Sequence, residues 1–177
     1  MQPAPVIETS RLVLRPPRAD DAAAIFDSYA QDAEVTRYLS WTPHGSIADT
    51  EEFLRGVVEP AEGEWGYTWV VTERAGGALC GMIALRPDGH KAEVGYVLAR
   101  RCRGRGYMTE ALRAVLDFAF TLPGVYRVWG VCHVDNGASA RVMEKAGMAF
   151  EGVLRRYVVL PNVGPEPCDA RCYALVR

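Results

Sequence analysis

Hydrophobic and polar residues alternate along the chain with two different periods, and the change of period marks the predicted elements. A two-residue period or a short apolar run predicts a strand, as in "RLVLRP", where the strand covers Leu12 to Arg15 and stops at two prolines. A helical period with one apolar face predicts a helix from about Gly106 to Phe120. A further helix is predicted to begin near Asp20 and to continue over Gln31 to Leu39, and two more are predicted from Ser46 to Val58 and from about Asn136 to Ala146.

Strands are predicted between these helices. The period changes after Pro60, and the apolar stretches that follow are "YTWVV", "LCGMIAL", "AEVGYVLA", "VYRVWGVCHV", "FEGVLRRYVVL" and "CDARCYALVR". Strands therefore come in runs, and two later helices cross between strands. This order predicts one α+β domain over residues 1–177, with no internal repeat or linker.

Composition narrows the class of protein. A formal net charge of −2 argues against a general nucleic-acid binder, and no apolar run approaches the roughly 20 residues of a membrane helix. The start of the chain shows no signal peptide, so we expect a cytoplasmic protein, either a monomer or a homodimer. The five scattered cysteines and three histidines show no metal-ligand spacing, so we expect neither a disulfide framework nor a metal site.

One loop concentrates positive charge and backbone freedom between a predicted strand and a predicted helix. Gly104 and Gly106 let the backbone bend close to an anion, and Arg101, Arg103 and Arg105 can add charged contacts. The first turn of the following helix has unpaired N–H groups and a partial positive charge, which together favour phosphate. The alternative is a solvated basic turn with a glycine cap.

Two familiar phosphate loops can be excluded. A nucleoside-triphosphate P-loop needs Gly-Lys-Ser/Thr, and the chain contains no Gly-Lys pair. A dinucleotide fingerprint needs a third glycine where this chain has Thr109.

The loop resembles a motif of a known family. "RGRGYM", Arg103 to Met108, resembles the Gln/Arg-x-x-Gly-x-Gly/Ala motif of GCN5-related N-acetyltransferases (GNAT), whose backbone amides hold the pyrophosphate of acetyl-CoA. Met108 stands where the motif ends in Gly or Ala. The RimJ/RimL branch tolerates this and commonly continues "TEA", as Thr109 to Ala111 do. Other motifs in matching order, among them "AEVGYVL" and "DNGASARVMEKAGM", extend the resemblance from Glu8 to Arg177.

The resemblance implies a fold and a cofactor site. The fold is a mixed, mostly antiparallel sheet of about seven strands flanked by helices. It is splayed at the fourth and fifth strands, where Ala92 to Ala99 meets Val125 to His133. The cosubstrate is acetyl-CoA, with no metal. Its implied contacts are the backbone of Val97 and Leu98, the loop and helix start at Arg103, Gly104, Arg105, Gly106, Tyr107, Met108 and Thr109, and the side chain of Asn136.

Two catalytic residues are implied in the same way. Glu93 matches a strand position that some members use as a general base, although it can equally be an ordinary surface or ion-paired glutamate. Ser139 is the candidate acid for the leaving thiolate, because the position where many relatives have a tyrosine is Met143 here. The alternative is a helix-start serine that bonds its own backbone.

The implied function is an N-acetyltransferase that acts by direct attack of a primary amine, either a protein N-terminus or a small molecule. An inactive acyl-CoA-binding module of the same fold is the alternative. Gln31 to Glu64 and Leu160 to Pro167 are expected to shape the acceptor pocket, but they carry no motif that identifies the acceptor. Four aromatic residues are candidates for lining this pocket, although core positions are commoner for such residues: Trp41, Trp65, Tyr67 and Trp69.

Overall fold

The computed structural model describes residues 4–59 and 66–177. Within them the chain forms eight strands and five α-helices. The strands are β1 Ile7–Glu8, β2 Leu12–Arg15, β3 Tyr67–Glu73, β4 Leu79–Asp88, β5 Lys91–Leu98, β6 Arg127–His133, β7 Ala149–Val159 and β8 Pro167–Val176. The helices are α1 Ala22–Ile25, α2 Ala33–Thr36, α3 Ile47–Val58, α4 Tyr107–Ala119 and α5 Gly137–Lys145. Pro60 and Trp65 lie outside the described residues.

All eight strands belong to one sheet with the order β1-β2-β3-β4-β5-β6-β8-β7. Every neighbouring pair is antiparallel except β5 and β6, which α4 connects as a parallel crossover. Their ladder has only three rungs and ends where Glu93 pairs with Trp129. The predicted mixed sheet and its splay are therefore confirmed. The strand beyond the expected seven is β1, which has two residues.

Local signals account for the later helices. Asp49 accepts the backbone N–H of Ser46 at 3.0 Å, so α3 begins where the capping residue predicts. Asn136 caps α5 by accepting the N–H of Ser139 at 3.2 Å, and Gly147 follows the helix with φ of 98°. The predicted bounds of these helices are correct to within one or two residues.

The first helical region differs from the prediction. A tight turn, Ala19–Asp21, precedes α1, and a π-helical turn, Phe26–Ala30, follows it. The predicted helical continuation over Gln31 to Leu39 is reduced to a separate short helix, α2. Asp32 causes this break because its carboxylate accepts the N–H groups of Glu34 and Val35, which starts a new helix.

Helix α4 packs on the sheet and contributes to one buried core. This helix buries one face, with Met108 2% exposed and Leu112 fully buried. Trp69 on β3 is fully buried, and its indole N–H donates to the Pro5 carbonyl at 2.7 Å. None of the helices in the described residues combines the length and apolar character that crossing a membrane requires.

Candidate active site

A cavity of about 310 Å³ lies at the splay between β5 and β6. Its walls come from strands β4 to β7, from α3 and α5, and from the segments around α1 and before α3. Because β5 and β6 separate after three rungs, side chains of both strands face this space. Five of the lining residues matter most for the chemistry, namely Glu93, Tyr96, Val97, Asn136 and Ser139.

Ser139 contacts Tyr96 rather than the backbone of its own helix. Its Oγ lies 2.8 Å from the Tyr96 Oη, which also lies 3.1 Å from the Ser139 carbonyl oxygen. Burial raises the pKa of Tyr96, although the hydrogen bond with Ser139 opposes this, so the phenol keeps its proton at neutral pH. In one arrangement Tyr96 donates to the Ser139 Oγ, which leaves the serine proton free for a group in the cavity.

Val97 and Leu98 on β5, the two predicted contacts of the pantetheine arm, differ in whether they line the cavity. Val97 pairs with Met82 on β4 and lines the cavity. Leu98 pairs with Gly81 and is not one of the lining residues. The ladder to β6 has already ended at Glu93, so the second edge of β5 around Val97 faces the splay. A strand edge of this kind can pair with the amides of an extended ligand.

Glu93 occupies the last rung of the parallel ladder and lines the cavity. It lies opposite Arg86 on β4, which also lines the cavity, so the wall carries both a carboxylate and a guanidinium. Burial raises the pKa of Tyr157 on β7, and the negative charge of Glu93 adds to this effect. Glu93 and Ser139 therefore line the same cavity from two different elements.

The glycine loop presents a run of free backbone donors. Gly104 and Gly106 have φ of 75° and 77°, the left-handed region that glycine occupies without strain. The backbone N–H groups from Gly104 to Thr109 have no hydrogen-bond acceptor in the described part of the chain. A methyl group added at Gly104 would meet no atom within 4 Å, so there is room for a ligand beside it. This geometry suits a phosphate group.

The arginines of the loop already have partners. Arg103 pairs with Glu34 at 2.7 Å and Arg105 pairs with Glu73 at 2.6 Å. Arg101 donates to Ser28 and to the carbonyl of Leu79, which ties the loop to the first helical region. The pairs of Arg103 and Arg105 are partly solvent-exposed, and such pairs contribute roughly 0–1 kcal/mol. Exchanging these partners for a phosphate would therefore cost little.

The hydrogen-bond network behind the glycine loop was not predicted from the sequence. Glu110, on the first turn of α4, accepts hydrogen bonds from Thr9, Ser10 and the backbone and side chain of Arg11. Arg11 in turn donates to the Arg105 carbonyl at 2.9 Å. Burial alone would raise the pKa of Glu110, but the hydrogen bonds outweigh it and lower the pKa to about 2. The only sequence feature that included Glu110 was the resemblance of "TEA", Thr109 to Ala111, to the RimJ/RimL branch.

We expect Glu110→Gln to destabilise the protein by about 2 kcal/mol at pH 7, because it removes charged hydrogen bonds to several donors at once. The folded-state pKa of Glu110 is about 2, below its ordinary value of 4.5. Its contribution is therefore complete above pH 4.5 and disappears as the pH falls towards 2. Urea unfolding of both proteins at several pH values measures this. Glu52→Gln, an exposed change on α3, is the control. A difference that stays constant with pH would contradict the assignment.

Three possible metal ligands come together away from the cavity. Ligand atoms of Glu73, Cys80 and Cys102 lie within 4.8 Å of one another, a proximity that their sequence spacing did not predict. Burial and the neighbouring Cys102 thiol raise the pKa of Cys80 to about 12, and Glu73 already binds Arg105. Both cysteines are free thiols in the structure.

The aromatic candidates for the acceptor pocket divide into two groups. Trp41 lines the cavity, where it packs near His44 and Phe53. Tyr67 and Trp69 pack on Phe118 and do not line the cavity, so they belong to the core side of the sheet.

Comparisons with known proteins agree with this architecture. The family model described as "Acetyltransferase (GNAT) domain" matches residues 11–149. An uncharacterized N-acetyltransferase of Bacillus subtilis (strain 168), YoaA, is 32% identical over 176 residues, which cover 98% of this chain and 97% of that protein. The crystal structure of a GNAT-family acetyltransferase from Bacillus anthracis aligns with a TM-score of 0.83 at 27% identity, covering 97% of this chain and 98% of that one.

A solved structure from the RimL branch has the same fold as this chain. A RimL ribosomal-protein acetyltransferase in complex with coenzyme A aligns with a TM-score of 0.83 at 20% identity, covering 97% of this chain and 98% of that one. At this identity the similarity is one of fold alone. The family model covers most of the chain, and the alignment with YoaA covers nearly all of it. The chain belongs to the GNAT acetyltransferase family.

Proposed function

We propose that the protein transfers the acetyl group of acetyl-CoA to a primary amine, either a protein N-terminal α-amine or a small-molecule amine, by direct attack in a ternary complex. Acetyl-CoA is the donor that the GNAT family uses. One observation carries the proposal: Glu93, Ser139 and the open edge of β5 meet in a single cavity. A ternary complex needs both substrates in one space, and this cavity supports that requirement.

The glycine loop, β5 and Asn136 are proposed to bind acetyl-CoA. The free N–H groups of the loop from Gly104 to Thr109 bind the pyrophosphate, and Arg103 and Arg105 exchange their surface partners for phosphate oxygens. The backbone of Val97 pairs with the pantetheine arm, and Asn136 contacts the same arm. Tyr107 and Met108 are buried, so these residues contribute backbone N–H groups rather than side chains.

Acid and base roles follow from the cavity. An amine is mostly protonated at neutral pH and needs a proton acceptor before it attacks the thioester, and the Glu93 carboxylate supplies one directly or through a water. The departing thiolate needs a proton, which Ser139 supplies. Tyr96 can return that proton because its Oη lies 2.8 Å from the Ser139 Oγ. Solvent then reprotonates Tyr96, and Glu93 releases to solvent the proton that it took from the amine, so the protons balance. The nearby Met143 side chain carries no ionisable proton.

Release of free coenzyme A from acetyl-CoA tests the function. A panel of peptides with free N-termini, polyamines and amine-bearing antibiotics should include amines that accelerate the release, and mass spectrometry should then find the acetylated amine. Each peptide has its N-terminally blocked form as a matched control, because blocking removes only the nucleophile. A protein that binds acetyl-CoA but accelerates release with none of these amines would instead be the acyl-CoA-binding module.

A further inference from the structure

One buried hydroxyl in the wall of the cavity has no hydrogen-bond partner. Tyr29 is 2% exposed and lines the cavity, and its hydroxyl has no partner among the residues that the structure describes. Folded proteins pair the great majority of their buried polar side-chain atoms, because an unpaired one has lost its water without compensation. An unpaired hydroxyl at a binding cavity points to a group that bonds with a ligand.

The backbone holds Tyr29 in this position. It belongs to the π-helical turn Phe26–Ala30. Such turns are rare in proteins, and many of those that occur lie at functional sites. Contacts fix the turn on both sides of Tyr29. Arg101 donates to the Ser28 Oγ at 3.0 Å, and the Ala30 carbonyl accepts the backbone N–H of His44 at 2.9 Å. The turn that carries Tyr29 is therefore held beside the cavity from two directions, by Arg101 after β5 and by His44 before α3.

We propose that the Tyr29 hydroxyl donates a hydrogen bond to an oxygen atom of a substrate bound in the cavity, and so helps to position that substrate. This inference rests on the proposed function. Burial raises the pKa of Tyr29, and the negative charge of Asp21 adds to this, so the hydroxyl is a neutral donor at physiological pH. Carbonyl oxygens suit such a donor. They occur in the pantetheine arm and acetyl group of the donor substrate, and also in a peptide acceptor.

Tyr29→Phe removes this hydroxyl and little else. In the free protein the hydroxyl is unpaired, so we expect the variant to unfold at the same temperature as the wild type or at a higher one. We also expect one binding step to weaken by about three- to tenfold, as for the loss of one hydrogen bond. Weaker binding of both CoA and acetyl-CoA in calorimetry assigns the bond to the pantetheine arm. Weaker binding of acetyl-CoA alone assigns it to the acetyl group, and a raised KM for the amine assigns it to the acceptor.

Tyr173→Phe is the matched control. Tyr173 is 1% exposed, but its hydroxyl donates to Glu144 at 2.9 Å and it is not one of the cavity residues. We expect this variant to lower the unfolding temperature. Its affinities for CoA and acetyl-CoA and its KM for the amine should stay unchanged. If Tyr29→Phe changes none of these three constants, the inference is wrong, whatever the variant does to stability. A wild-type protein that fails to bind acetyl-CoA would instead contradict the proposed function.

Discussion

Gly104→Val and Gly106→Val are each expected to abolish the thermal stabilisation that coenzyme A gives to the protein. A side chain at either position stands where the backbone must approach the pyrophosphate, and both residues have a positive φ that valine rarely adopts. At a ligand concentration of 100 Kd the wild type gains about 2.7 kcal/mol of stability. A hundredfold loss of affinity reduces this gain to about 0.4 kcal/mol. CoA and acetyl-CoA should behave alike, because the phosphate contacts are common to both.

A control is needed, because the substitutions also strain the backbone. Gly124 has φ of 82° and no atom within 4 Å of an added methyl group, as at Gly104, but it lies in the turn after α4, away from the loop. Gly124→Val should lower the unfolding temperature of the free protein by a similar amount and keep the full shift with CoA. Normal CoA binding by either loop variant would show that the loop is only a turn.

The fold was predictable from the sequence wherever local signals decide the structure. The helix from Ser46 and the helix ended by Gly147 follow from a cap and a left-handed glycine, which are local features. The break before α2 was not predicted, although Asp32 in front of four helical residues is itself a capping signal. Apolar periodicity does not separate one long helix from two short ones. Arg100 also holds Asp32 at 2.6 Å, a contact between residues far apart in the sequence.

The candidate site was predictable in its backbone parts and less so in its side-chain contacts. Gly104 and Gly106 could be recognised because a glycine pattern specifies a backbone shape. The contact of Ser139 with Tyr96 joins residues 43 positions apart, and no spacing rule indicates it. The unpaired hydroxyl of Tyr29 is a property of packing, so only the structure reveals it. For the same reason the sequence suggested free arginines where the structure has ion pairs, such as that between Arg105 and Glu73.

Ser139→Ala is expected to lower kcat by roughly a hundredfold and to change the affinity for acetyl-CoA little. A thiolate titrates near pH 8.5 and needs only modest help to leave, so this loss falls within the usual range for general acid catalysis. Stability should fall by no more than about 1 kcal/mol. The reason is that Tyr96 keeps a second acceptor, the backbone carbonyl of residue 139, at 3.1 Å, and is not left unpaired. Single-turnover kinetics with an active amine would measure the chemical step directly.

Two further variants separate an acid role for Ser139 from a structural one. Ser46→Ala also removes a hydroxyl at the start of a helix, but Ser46 is exposed and does not line the cavity, so its kcat should stay unchanged. Tyr96→Phe keeps the Ser139 hydroxyl but removes the phenol that can return its proton, so its kcat should fall less than that of Ser139→Ala. If Ser139→Ala turns over as fast as the wild type while chemistry limits the rate, Ser139 is not the acid. A water or Tyr157 then becomes the candidate proton donor for the thiolate. Burial and the negative charge of Glu93 raise the pKa of Tyr157.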